Sequence, residues 1–218
     1  FETLGIRFVD LPFDEQYRDA VADEPRKYFE QGRQYEEKGK DKNAIECYQK
    51  AIDLGAVINL DDITHLDYLA KNAGLPEVLS FRYNPGDLIE GNDIIGKPME
   101  AKYGLTRPQL FEAYARAREM GVKRFGLHTM VISSELRTEA FLLTARIMFE
   151  LAAELKAHLG IHVEFINLGG GFGIPYRPEE SPVDYAAVGA GIEQIYNEIM
   201  RPAGLGDVAI RTESGRAI

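Results

Sequence analysis

The sequence holds a single cysteine, Cys47, among 218 residues. That excludes an intrachain disulfide and makes a reducing compartment, the cytoplasm, the expected setting. No stretch approaches the roughly 20 apolar residues of a membrane-spanning helix, so no membrane partner is expected. Positive charge is also short: 25 Lys and Arg stand against 35 Asp and Glu, a net charge of −10, and no basic run relieves it. A nucleic-acid partner is not expected on that balance. No metal site is predicted. There is no Gly-Lys-Ser/Thr for a P-loop. No signal-like segment opens the chain, which starts at Phe1 and stops at Ile218 directly after a strand-like run. A fragment is expected on that ground. With 45% hydrophobic residues the chain can bury a sizeable core.

From residue 56 onward apolar runs alternate with helical patterns. Ala56–Leu60, Val78–Arg82, Lys123–Leu127, Val163–Leu168 and Val208–Arg211 read as buried strands. Thr106 and Gln109 have capping-box spacing, and Gly121 can end the helix they start. Phe141, Ala145, Met148, Ala152, Leu155 and Leu159 trace one stripe of a long helix ending at Gly160. Ser181-Pro182 reads as a cap and first-turn proline for a helix that buries Val188, Ile192, Ile195 and Ile199, with Pro202 closing it.

Strand-helix-strand repetition implies parallel strands in a doubly wound sheet or a (β/α) barrel. Polar residues follow every strand: Asp61-Asp62, Arg82-Tyr83-Asn84, His128, Gly169 to Gly173, and Glu213 to Arg216. Five consecutive decorated strand ends favour a barrel, whose strand ends share one rim. The glycines of "INLGGGFGIPY" (166–176) fail the dinucleotide pattern, because Ile174 stands where a glycine is wanted. Bare backbone N–H groups at a strand end can form an anion nest suited to phosphate. A tight turn packed against a neighbour is the other reading.

In order and spacing, "INLDD" (58–62), "RYNPG" (82–86), "AKYG" (101–104), "FGLH" (125–128), "NLGGGFGIPY" (167–176) and "TESGR" (212–216) resemble the pyridoxal-phosphate barrel of diaminopimelate decarboxylases and their ornithine and arginine decarboxylase relatives. The resemblance covers about residues 50–218. It implies a partial (β/α)8 barrel of the alanine-racemase type and pyridoxal 5'-phosphate as cofactor. It also implies decarboxylation of a diamino or basic amino acid, diaminopimelate above all, by a homodimer. Gly169, Gly170, Gly171, Ser133, Gly215 and Arg216 would hold the cofactor phosphate, and Glu213 would face the pyridine nitrogen. His128 would line the pocket, and Arg216 would also bind a substrate carboxylate. Each has a plainer rival: His128 as an ordinary hydrogen-bonded histidine, Glu213 with Arg216 as a rim salt bridge, and Ser133 as the cap of the next helix. Asp61 and Asp62 read as helix caps and Lys102 as structural.

The sequence also departs from the family pattern. Met130 stands where the family has a second histidine stacking on the cofactor ring, and Ser214 replaces a proline. None of the ten lysines ends an apolar strand in the family's Tyr-Ala-x-Lys-Ala motif, so the Schiff-base lysine and the first three barrel strands are not recognisable. The five strands correspond to strands 4–8, and the C-terminal β domain is not in the sequence. A chain so composed is expected to be inactive alone.

Before the strands, Gly32, Tyr35, Gly39, Ala44, Tyr48 and Ala51 match one tetratricopeptide repeat, with helices at about 25–38 and 42–54. An ordinary helical hairpin fits the same residues. The expected organisation is a segment 1–24 with a possible strand at 5–11, a helical hairpin at 25–55 and the partial barrel at 56–218. A non-catalytic interaction module, a repeat-like hairpin on a barrel remnant, is the alternative to the enzyme.

Overall fold

Small residues decide how the first two helices meet. The computed structural model describes residues 23–72, 74–86 and 103–215. The possible strand at 5–11, Lys102 and Arg216 lie outside these residues. Helices α1 (Asp23–Glu37) and α2 (Asp41–Asp53) form a hairpin turned at Gly39, whose φ is 65°. Tyr48 lies against Gly32, where an added Cβ would stand 2.5 Å from the ring. Ala44 and Ala51 are buried. The positions singled out by the repeat pattern thus make the hairpin contact, as they would in any close-packed hairpin.

The five apolar runs form β1 (Ile58–Leu60), β2 (Val78–Tyr83), β3 (Arg124–Thr129), β4 (Val163–Asn167) and β5 (Ala209–Arg211). They make one parallel sheet in the order β1-β2-β3-β4-β5. A doubly wound sheet reverses its order at a switch point. This sheet never reverses, which is the winding of a barrel wall. Helices α3 (Thr64–Asn72), α4 (Arg107–Glu119), α5 (Thr138–Leu159) and α6 (Tyr185–Ile199) are the crossovers. Their buried residues share one core with the strands: Leu79, Phe81, Leu127, Ile166 and Ile210 from the sheet meet Leu66, Leu110, Tyr114, Met148, Phe149, Leu155 and Ile192. The largest of these is Tyr114. It packs edge-on to Phe81 and Phe125 at 4.9 and 5.5 Å, and its hydroxyl donates to the Gly126 carbonyl. An ion pair ties each neighbouring helix pair from α3 to α6 on the outside: Arg116–Asp67, Arg107–Glu154 and Arg146–Glu198. These pairs are exposed and each is worth little, about 1 kcal/mol at most.

Strand alternation sends Asn59, Ser80, Arg82, Gly126, His128, Phe165, Asn167 and Arg211 to the opposite face, and none of them joins the core. A register shift between Phe125 and Gly126 brings Phe165 across Gly126, where a Cβ would meet its ring at 2.0 Å. The Arg211 guanidinium lies 3.9 Å over the same ring, and burial pushes its pKa below the usual arginine value. The Ser80 hydroxyl on this face is buried and has no hydrogen-bond partner among the described residues. A polar face of this kind is the interior side of a barrel wall.

Helix ends follow the sequence reading at α4 and α5. Gln109 accepts the Thr106 N–H at 3.0 Å, and α5 stops at Gly160 with φ 66°. Two expectations are corrected. Helix α6 is capped by Asp184, which accepts the Ala187 N–H at 2.9 Å, and not by Ser181-Pro182. The chain stays extended past the proline so that Val183 can bury in the core. Ser133 does not cap α5, which begins at Thr138. The Glu135 carboxylate takes the N–H groups of Leu136 and Arg137 at 2.9 and 2.8 Å and keeps that stretch a loop.

Among the described residues nothing pairs with the outer edges of β1 and β5. Open edges present unpaired backbone groups to other chains. Size-exclusion chromatography over a wide concentration range is therefore expected to show concentration-dependent assemblies. A sharp monomer peak throughout would mean that both edges are covered.

Candidate functional site

The register sets Arg82, His128, Asn167 and Arg211 side by side across β2 to β5, near the C-terminal strand ends. Asn59 on β1 reaches His128 although β2 runs between them, with Nδ2 at 3.0 Å from Nδ1, so the sheet curls toward this face. With the Asn59 amide nitrogen donating to Nδ1, a neutral imidazole carries its proton on Nε2. That nitrogen is 3.4 Å from Glu213 Oε1, and Asn167 Nδ2 donates to the same oxygen at 2.8 Å. His128, 12% exposed, is largely enclosed, while Glu213 is half-exposed. The hydrogen bond from His128, supported by the Asn167 amide and the Arg82 charge, holds the Glu213 carboxyl below the usual carboxylate range against its partial burial. The result is a fixed, ionised carboxylate at the rim. Histidine 128 and Glu213 are thus brought together. At the first strand end, Asp62 takes the Thr64 N–H at 2.8 Å and also its hydroxyl, at the start of α3.

The glycine loop is wedged between two neighbouring strand exits. A Cβ on Gly169 would lie 2.4 Å from the Thr129 carbonyl oxygen, and one on Gly170 would lie 1.8 Å from the Glu213 carbonyl oxygen. On Gly171 it would lie 2.2 Å from the Ile132 carbonyl oxygen, and on Gly173 2.8 Å from the Ser134 carbonyl carbon. All four glycines are therefore required by the protein's own backbone, whatever else the loop holds. Gly169 and Gly171 also turn the chain with φ of 72° and 84°.

The loop's N–H groups are not equivalent. Gly169 N–H goes to Asn167 Oδ1 at 2.9 Å, and Gly173 N–H goes to the Glu135 carbonyl at 2.8 Å. Gly170 N–H points at the Met130 sulfur at 3.3 Å. Among the described residues the Gly171 N–H has no partner. Ser133 lies in the loop against Gly171, and Gly215 is exposed with open space about it.

Asn59 and Asn167 were not legible as site residues one by one. The signal was a repeat: Ile58-Asn59-Leu60 and Ile166-Asn167-Leu168 each place one amide within an apolar strand end, on the face that the apolar neighbours avoid. Among the described residues the lysines fall on helices, in the α1–α2 turn or, for Lys123, before β3, and none is at the C-terminal strand ends.

A group with a cationic ring nitrogen at one end and a phosphate at the other fits this donor set. Glu213 supplies the fixed negative charge. Gly171 N–H, and Gly170 N–H on its weak sulfur acceptor, supply donors to an anion.

Comparison with known proteins agrees. The family described as "Pyridoxal-dependent decarboxylase, pyridoxal binding domain" matches residues 34–218. Protein TabA of Pseudomonas amygdali pv. tabaci is 34% identical over 140 residues, covering 64% of this chain and 33% of that protein. Diaminopimelate decarboxylase of Methanothermobacter thermautotrophicus is 33% identical over 172 residues, covering 78% and 40%. The crystal structure of diaminopimelate decarboxylase from M. jannaschii in complex with L-lysine superposes with a TM-score of 0.65 at 25% identity, covering 79% of this chain and 41% of that one. The chain therefore spans 33% and 40% of the length of these two curated relatives.

Proposed function

The chain belongs to the pyridoxal-dependent decarboxylase family through its pyridoxal-binding domain, and from that premise we propose that it carries the cofactor-holding rim of a decarboxylase of diamino or basic amino acids. Diaminopimelate, yielding lysine, is the leading substrate. The family's cofactor is pyridoxal phosphate, which when bound supplies an electron sink for the pair left as carbon dioxide departs. Glu213 carries the reading. His128 and Asn167 keep its carboxylate ionised and aimed, which suits a partner nitrogen that must stay protonated. Gly170 and Gly171 hold the donors that a phosphate can recruit; Ser133 lies against Gly171, and Gly215 and Arg216, which follow Glu213 in sequence, would complete the site in this reading. The N–H of Gly169 is committed to Asn167, so its part is to turn the loop. Arg216 also receives a substrate carboxylate in this reading, for which a planar fork is suited. A cytoplasmic homodimer completes the proposal.

The test is titration of the purified chain with pyridoxal phosphate, followed by borohydride reduction and intact mass. Saturable binding without a fixed adduct is expected, because the described lysines all lie off the rim. A stoichiometric adduct on a described lysine would show that the assignment of the rim is wrong. The same placement of lysines favours the interaction-module reading, and complete absence of binding would transfer support to it.

A further inference from the structure

The Met130 side chain sits on one of the glycine loop's N–H groups. Its sulfur accepts the Gly170 N–H at 3.3 Å, and a Cβ on Gly169 would stand 2.9 Å from it. The residue is anchored at its backbone, because Arg82 Nη2 donates to the Met130 carbonyl at 2.9 Å and Thr129 Oγ1 donates to the Tyr83 carbonyl at 2.9 Å. The side chain beyond that anchor is an unbranched thioether with three rotatable bonds, able to withdraw without moving the strand. Gly170 itself is buried beneath it.

We propose that Met130 is a displaceable plug that sets the affinity and the selectivity of the glycine loop for phosphate. The inference rests on the reading that this loop receives the cofactor phosphate. A thioether sulfur is a weak acceptor, whereas a phosphate oxygen is charged and accepts strongly. An arriving phosphate takes the Gly170 N–H together with the unpartnered Gly171 N–H, and the sulfur withdraws. The apparent affinity is then the intrinsic affinity reduced by the fraction of molecules in which the plug is open. An uncharged ligand lacks the oxyanion that wins this exchange, so the plug discriminates pyridoxal phosphate from pyridoxal.

The experiment is calorimetric titration of the wild-type chain, Met130→Ala and Met130→Leu with pyridoxal phosphate, inorganic phosphate and pyridoxal. Met130→Ala is expected to tighten both phosphate ligands by the same factor, about tenfold, and to leave pyridoxal unchanged. Met130→Leu, which keeps the volume and discards the acceptor, is expected to tighten both by about threefold. It decides the matter if the alanine variant fails to fold. Unchanged phosphate affinity in both variants overturns the plug and leaves the phosphate site standing. Weaker binding of pyridoxal phosphate alone also overturns it, because Met130 would then be a ring contact. If neither the wild type nor the variants bind either phosphate ligand, the phosphate reading falls and the plug falls with it.

Discussion

Replacing Gly170 by alanine is expected to destabilise the chain by about 3 kcal/mol or more, while Gly215→Ala changes stability by less than about 0.5 kcal/mol. The contrast is one of space alone. A Cβ on Gly170 falls 1.8 Å from the Glu213 carbonyl oxygen and 2.8 Å from its carbon, which are backbone atoms with no rotamer to escape by. The two segments cannot simply part. Leu168 N–H is bonded to the Arg211 carbonyl and Glu213 N–H to the Gly169 carbonyl, each at 2.9 Å, so the exits of β4 and β5 are clamped together immediately before the clash. Around Gly215 an added Cβ meets nothing within 4 Å among the described residues. Urea unfolding of the two variants beside the wild type measures the difference. A Gly170→Ala variant within about 1 kcal/mol of wild type would mean that the loop gives way freely, and the packing account of the glycine run would be wrong. The same substitution pushes on Glu213, so stability and the rim charge should be lost together.

Glu213→Gln isolates the charge. Glutamine keeps the shape and can still accept from Asn167, but it cannot hold a fixed negative charge opposite a ring nitrogen. Under the proposed function, kcat for decarboxylation is expected to fall about 100-fold or more, with affinity for pyridoxal phosphate changed by less than about threefold, because electrostatic stabilisers of this kind act mainly on the reaction. Steady-state kinetics with a parallel binding titration separates the two effects. A kcat within tenfold of wild type would remove Glu213 from its role.

The sheet was legible because its strands are short apolar runs with polar residues after each, a pattern that survives without knowledge of any partner. Strand positions came within two residues, and so did the C-terminal end of α5 and the capping of α4. The cap of α6 was not legible. Ser181-Pro182 satisfies the local rule for a helix start, but Val183 finds its place in the core, and that contact lies far away in sequence. The glycine run was visible as a site, but its cause was not. The atoms that exclude its side chains belong to residues 129–134 and to Glu213, some 40 positions to either side. His128 and Glu213 were named from the family resemblance. The residues that aim them, Asn59 and Asn167, carry polarity that only the curled register brings to one point.

The unbroken strand order has a kinetic side. Every strand in the sheet pairs with the one made just before it, so each new βα unit can dock on finished structure as the chain is synthesised. Within the five-stranded sheet, no described strand waits for a distant later one to form its pairing with its neighbour. The exception is the rim charge. Asn59, His128 and Asn167 are in place before Glu213 exists, and the carboxylate that joins them arrives after the last of the five strands. A growing chain would therefore hold a folded scaffold before the carboxylate that completes the rim charge is made.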